Sequence, residues 1–201
     1  MPRFKYVPTI MFLAMASAFV LFCIIHVRPA AALTIDEYHD MVAKCKGEMW
    51  VENQVEVCTA LIEVETRHLA LAPENGLSKW LLSYAYYHRA QAHWSYSKID
   101  LMIADFDEAI RISPKHWPSL SERGKFYFQL QHYDRAIFDL ENSIKVNSKD
   151  AETHWYLASC YELTGQIDKA IAGFLAVLEL EPEAGNIARR VQELRAKKQQ
   201  K

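Results

Sequence analysis

The apolar and polar positions of this chain recur with a fixed period. Asp100, Asp134 and Asp168 are spaced by 34 residues. Three residues after each stands Ile103, Ile137 or Ile171, and six after each stands Phe106, Leu140 or Phe174. Ten after each comes Ile110, Ile144 or Leu178, and twelve after each Ile112, Val146 or Leu180. These offsets mostly follow one face of a helix. The aspartate suits a helix N-terminus, where it caps free N–H groups and meets the positive end of the dipole. Pro114 and Pro182 lie two periods apart, with Ser148 at the middle position, and proline cannot continue a helix. A second apolar-periodic stretch precedes each of these helices, over 82–96, 118–130 and 152–163. Within those stretches the small residues Ala90, Gly124 and Ala158 keep the same spacing. The unit is helix–turn–helix, and the predicted fold is an all-α solenoid of stacked units, because no single unit can bury its apolar face alone.

The pattern resembles the tetratricopeptide repeat (TPR). Residues 151–184 carry Leu157, Ala158, Tyr161, Ala170, Phe174 and Pro182 where that family has its signature positions. Residues 117–150 carry Leu120, Gly124, Tyr127, Ala136 and Leu140, with Ser143 and Ser148 as weaker matches. Residues 83–116 carry Ala90, Phe106, Ala109 and Pro114, but His93 and Met102 replace the expected Tyr and Ala. The resemblance implies close helix approach at the small positions and a ligand-binding face built from the first helix of each unit.

An array of this kind needs capped ends. Residues 185–201 read as a capping helix and basic tail, with Ile187, Val191 and Leu194 on one face. Residues 33–76 read as a helical hairpin, 35–46 and 53–71, with Val57, Ala60, Leu61 and Val64 as its apolar face. It is expected to act as a degenerate unit capping the first repeat. Ala72-Pro73-Glu74-Asn75-Gly76 is the main break after it. Cys45 and Cys58 are 13 apart, too far to bridge on one straight helix. A turn between Gly47 and Asn53 brings them face to face as a disulfide; the other reading is two buried free thiols. Cys160 has no evident partner and reads as a small core residue. The Cys58-Thr59-Ala60-Leu61-Ile62 stretch ahead of the repeats is similar to short TPR proteins of bacterial envelopes.

Residues 1–32 contain no acid. Arg3 and Lys5 precede an uncharged run from Pro8 to Ile25, and Ala30, Ala31 and Ala32 follow. This is the pattern of a secretory signal peptide ending at Ala32. The run is also nearly long enough to span a bilayer, so an uncleaved anchor through residues 8–27 is the alternative. Either outcome exports residues 33–201, into a periplasm or beyond, or leaves them anchored on the inner membrane. The second reading is an anchored assembly subunit that self-associates, or a non-catalytic subunit of an envelope enzyme complex.

Composition changes the picture only at the margins. With 51% hydrophobic residues, 6 Gly and 7 Pro, the chain is neither disordered nor collagenous. A net charge of -2 argues against a nucleic-acid partner. That average hides a division: residues 33–188 carry 14 bases and 24 acids, whereas Arg189, Arg190, Arg195, Lys197, Lys198 and Lys201 crowd the tail against Glu193. Cations favour helix C-termini, and the tail can also attract acidic surfaces.

No nucleophile elbow, phosphate loop or zinc-helix motif is present. His88 and His93 are poorly spaced for two metal ligands, and His154 precedes Cys160 by six. The acidic trio Asp105, Asp107 and Glu108 reads as a solvated helix face. No catalytic residue, metal or cofactor is expected. The partner is expected to be a protein or peptide. The ligand-facing positions implied by the resemblance are Tyr84, Tyr87, Gln91, Trp94 and Ser95 in the first repeat. They are Pro118, Ser121, Lys125, Phe128 and Gln129 in the second, and Glu152, Trp155, Ser159, Glu162 and Leu163 in the third. Of these, Tyr84, Tyr87, Trp94, Phe128 and Trp155 form an aromatic groove in one reading and pack against the end caps in the other. Clamps for C-terminal carboxylates in this family place Lys and Asn where this chain has Tyr87 and Gln91, so that subclass is not expected.

Overall fold

The structure, a computed structural model, describes residues 33–47 and 53–200. Among them there are nine helices and no strand. A hairpin of α1 (Ile35–Lys46) and α2 (Gln54–Leu71) opens the chain. Three helix pairs follow: α3 (Gly76–Ser95) with α4 (Ile99–Ile112), α5 (Trp117–Gln129) with α6 (Tyr133–Val146), and α7 (Ala151–Leu163) with α8 (Ile167–Leu180). The last helix, α9 (Gly185–Gln199), packs on α8. The expected export segment lies outside the described residues, as does Lys201. No helix among the described residues is long and apolar enough to cross a membrane.

Local chemistry sets the ends. Thr34 and Glu37 form a reciprocal capping box at α1, with the Glu37 N–H donating to Thr34 Oγ1 at 3.2 Å. Gly47 ends α1 at a φ of 80°, a left-handed position that suits glycine. Asn75 Oδ1 accepts from the N–H groups of Leu77 and Ser78 and so starts α3 at Gly76. That start lies one and a half turns before the stretch read from the periodicity. The repeated aspartates correct another expectation. Asp100, Asp134 and Asp168 are the second residues of α4, α6 and α8, and the N-cap positions belong to Lys98, His132 and Gln166, which make no side-chain cap bond. The aspartates therefore act on the helix dipole rather than as caps.

The period extends to the backbone. Ser97, Gln131 and Gly165 occupy the turns between paired helices, and all three have positive φ, at 56°, 61° and 77°. Three different residue types hold one left-handed position because the turn geometry demands it.

The core is segmented. Cys45, Cys58, Leu61, Ile62, Leu82 and Ala85 join the hairpin to α3. Ala90, Met102, Phe106 and Phe126 fill the junction of the first and second pairs. A larger cluster runs from Ala136 and Leu140 through Phe174 to Ile187, Val191 and Leu194 on α9. The expected cap face is thus buried. Met102, the departure from the family pattern, is only 2% exposed. Cys45 and Cys58 are fully buried, with Cα atoms 4.8 Å apart, within the span of a bridged pair. Cys160 is buried, and burial pushes its thiol up to about 12.

Two ion pairs repeat at the same spacing. Arg89 donates through Nε and Nη2 to Asp105 at 2.9 and 2.7 Å, and through Nη1 to Thr59 on α2 at 3.0 Å. Arg123 donates through the same two nitrogens to Asp139, both at 2.7 Å, and through Nη1 to Asp107 on α4. Each guanidinium so joins its own helix pair to the helix before it. Asp105 and Asp139 are 4% and 1% exposed. The acidic trio is therefore only partly a solvated face: Asp107 is exposed and Glu108 partly so, but Asp105 is buried against Arg89, and Asp107 pairs with Arg123. Burial opposes the Arg123 charge, but Asp139 and Asp107 outweigh it and hold the ionisation above its usual range. The third pair has Leu157 and Gly173 at these two positions, and a Cβ on Gly173 would lie 2.8 Å from that of Ala158.

Candidate partner-binding groove

The first helices of successive pairs lie side by side, stitched by contacts across the repeats. Ser121 Oγ and Thr153 Oγ1 are 2.6 Å apart. Lys125 Nζ donates to Glu152 on the next repeat at 2.6 Å and to Glu122 at 3.0 Å. The Tyr87 ring meets His116 edge-on at 5.5 Å, and Trp94 meets Phe126 at 5.6 Å. At the far end Arg190 of α9 reaches back to Glu162 of α7, with Nε donating at 3.0 Å.

The predicted groove residues sort by exposure. Trp94 and Trp155 are 49% and 37% exposed, and Leu163 is 58% exposed. Tyr84, Tyr87 and Phe128 are half-buried. Gln91 Nε2 donates to the Tyr87 hydroxyl at 2.8 Å. Phe128 packs edge-on to Tyr133, Trp155 and Tyr156. Ser159 Oγ donates to the Trp155 carbonyl at 2.8 Å. Ser121 is buried and does not face a ligand. The aromatic content is thus divided between packing and exposed surface, and neither simple reading holds for every ring. Trp80 was not found from the sequence because it precedes the repeat frame. It is half-exposed and stacks on Tyr84 with centroids 5.1 Å apart, extending the aromatic face by more than a turn.

The electrostatics narrow what this face can hold. Burial opposes the Lys125 charge, but Glu152 and Glu122 outweigh it and raise its ionisation. Its three-donor ammonium already meets two carboxylates. Burial pushes the Tyr87 hydroxyl up to about 12, with Glu122 adding to it, so it stays protonated. Burial also pushes His116 down to about 4, leaving a neutral ring whose Nδ1 lies 2.8 Å from Ser119 Oγ. His93 is lowered by burial, against the opposing pull of Asp105. Among the described residues no group of three His, Cys, Asp or Glu side chains is placed to hold a metal ion. A cavity of about 340 Å³ opens between α7 and α9, lined by Trp155, Leu163, Phe174 and Ile187 with Ser159 and Arg190 among its polar members.

Paired helices stacked in register, with first helices forming one face, define an α-helical repeat solenoid. The family profile for the tetratricopeptide repeat matches residues 83–116, 118–150 and 151–183, and the chain belongs to the tetratricopeptide-repeat proteins. It is similar to a BBSome complex member from Bos taurus, 31% identical over 78 residues. It is also similar to anaphase-promoting complex subunit 3 from Dictyostelium discoideum, 30% identical over 81 residues. These stretches cover 39% and 40% of this chain but only 15% and 8% of those proteins. Among solved structures, YrrB, described as a TPR protein with an unusual peptide-binding site, superposes with a TM-score of 0.58 at 18% identity, covering 81% of this chain and 77% of that one. MamA from Desulfovibrio magneticus RS-1 superposes at 0.57 and 17% identity, over 81% of this chain and 84% of that one. The first TPR of Spaghetti (RPAP3), bound to an HSP90 peptide, superposes at 0.52 and 16% identity, over 57% and 90%. The structural likenesses show the fold. The chain is a protein–protein interaction module of that fold.

Proposed function

We propose that the chain is an exported, non-catalytic scaffold or assembly factor that holds a peptide or protein segment across α3, α5 and α7. The observation that carries this is the set Trp94, Phe128 and Trp155, drawn one from each first helix, with the indoles of Trp94 and Trp155 partly exposed and that of Trp155 lining a cavity. Aromatic side chains give large contact area at small entropy cost and dominate binding hot spots. The peptide-bound and peptide-binding neighbours support an occupant of peptide scale. Trp94→Ala and Trp155→Ala are each expected to weaken partner capture from intact envelopes by about tenfold or more, with helicity by circular dichroism unchanged. Equal capture by both variants overturns the groove.

Export rests on the basic start, the apolar run and the alanines before residue 33. In an oxidising compartment the juxtaposed Cys45 and Cys58 close as a disulfide. Its loss is expected to cost about 3 kcal/mol in the loop-entropy picture. A Cys45→Ser chain should therefore melt earlier in oxidising buffer. An unchanged melting temperature, with a free thiol at Cys58 in the variant, overturns the bridge.

A further inference from the structure

We infer that the segment held across α5 and α7 belongs to a separate protein partner and is basic, carrying Arg or Lys residues together with an apolar anchor. This rests on the reading of the face as a protein-binding groove. The centre of that face holds three charges, Lys125, Glu122 and Glu152, and they are unequally accessible. The Lys125 side chain is 11% exposed, against 37% for Glu122 and 60% for Glu152. An approaching segment meets carboxylate oxygens first, while the ammonium lies beneath them with its donors directed to those same oxygens. An acidic segment finds no cation there, and a basic one finds acceptors.

The surroundings point the same way. Trp94 and Trp155 expose indole surface in this region, and indole faces attract cations. Residues 33–188, which include all three first helices, carry 24 acids against 14 bases, a balance that favours the approach of cations. At the α9 end the accessible charge is balanced: Arg190 is 47% exposed between Glu162 at 16% and Glu193 at 52%, so a cation is less favoured there than over α5 and α7. The cavity beside that pair is walled by Trp155, Leu163, Phe174 and Ile187 and suits an apolar side chain. The bound segment therefore places its basic residues over α5 and α7 and an apolar anchor against α9.

The test uses the full chain and three fluorescent peptides read by anisotropy: one alternating Leu with Arg, one with Gln for every Arg, and one with Glu for every Arg. The Arg peptide is expected to bind, with the Gln peptide weaker and the Glu peptide weakest. Glu152→Lys should weaken the Arg peptide by about tenfold, while Glu179→Lys, exposed on α8 away from the groove, should leave it unchanged. Equal loss from both substitutions means general attraction to an acidic body and overturns the inference. Trp94→Ala and Trp155→Ala separate it from the reading beneath it. If both weaken every peptide but the three bind alike, the groove stands and the basic partner falls. If the Arg peptide binds and neither the tryptophan variants nor Glu152→Lys alter it, both fall. Self-association of the chain, seen by light scattering and abolished by Glu152→Lys, makes the basic α9 of a second copy the occupant and overturns the separate partner.

Discussion

A Gly124→Leu chain is expected to lose about 3 kcal/mol of stability or more, at or above the top of the usual range for overpacked cores. Gly124 lies on α5 where that helix meets α6. A Cβ there would sit 2.8 Å from Leu140 Cγ, 2.9 Å from its Cδ2 and 3.3 Å from Asp139 Cβ. Leu140 is fully buried and anchors the larger core cluster, so it has no open space to enter. Leucine adds three further carbons beyond that Cβ, and α5 and α6 must part. The loss should fall on the second repeat, as reduced helicity and early protease cleavage within 117–150. Gly185→Ala is the control, since nothing lies within 4 Å of a Cβ there. Its unfolding midpoint should barely move. A Gly124→Leu chain that unfolds like the parent would mean that α5 and α6 pair one turn away from the register described.

Asp139→Ala is the second large effect, expected at about 3–5 kcal/mol. The Arg123 side chain is 15% exposed and gives two of its hydrogen bonds to Asp139. Without that carboxylate the guanidinium keeps only Asp107, which is 54% exposed. Asp107→Ala should cost much less, under about 1 kcal/mol, because the buried pair remains. The third repeat shows an apolar solution at the same positions, Leu157 with Gly173. The double variant Arg123→Leu with Asp139→Ala should therefore recover most of the stability lost in Asp139→Ala alone, as seen when buried pairs elsewhere are replaced by apolar groups. Urea unfolding of the parent, Arg123→Leu, Asp139→Ala and the double variant closes the double-mutant cycle. A double variant no more stable than Asp139→Ala would show that the pair does more than neutralise itself.

These two sites mark what the sequence could and could not disclose. The period of apolar and small residues was legible because it records burial directly, and Gly124 was found that way. Arg89 with Arg123 and Asp105 with Asp139 recur at the same spacing, yet charged residues on a helix ordinarily face water. The absence of the pair from the third repeat also hid the pattern. The left-handed turn at Ser97, Gln131 and Gly165 left no residue signature, since the backbone conformation is imposed by the paired helices and two of the three are not glycine. In the groove, Trp94, Phe128 and Trp155 were legible from the repeat frame. The burial of Lys125 between Glu122 and Glu152 was not, because Glu152 is 27 residues distant and joins it only when α5 and α7 stack. Trp80 was missed for a simpler reason: α3 begins at Gly76, before the frame that defined the first unit.

The segmented core has a mechanical consequence. Side chains of the hairpin, of the first junction and of the last two repeats pack in separate clusters. A force applied between the hairpin and α9 is borne in series by those clusters, with the Arg89 and Arg123 forks as the cross-ties. Pulling the two ends apart should therefore open one cluster before the others, as separate steps in a force trace.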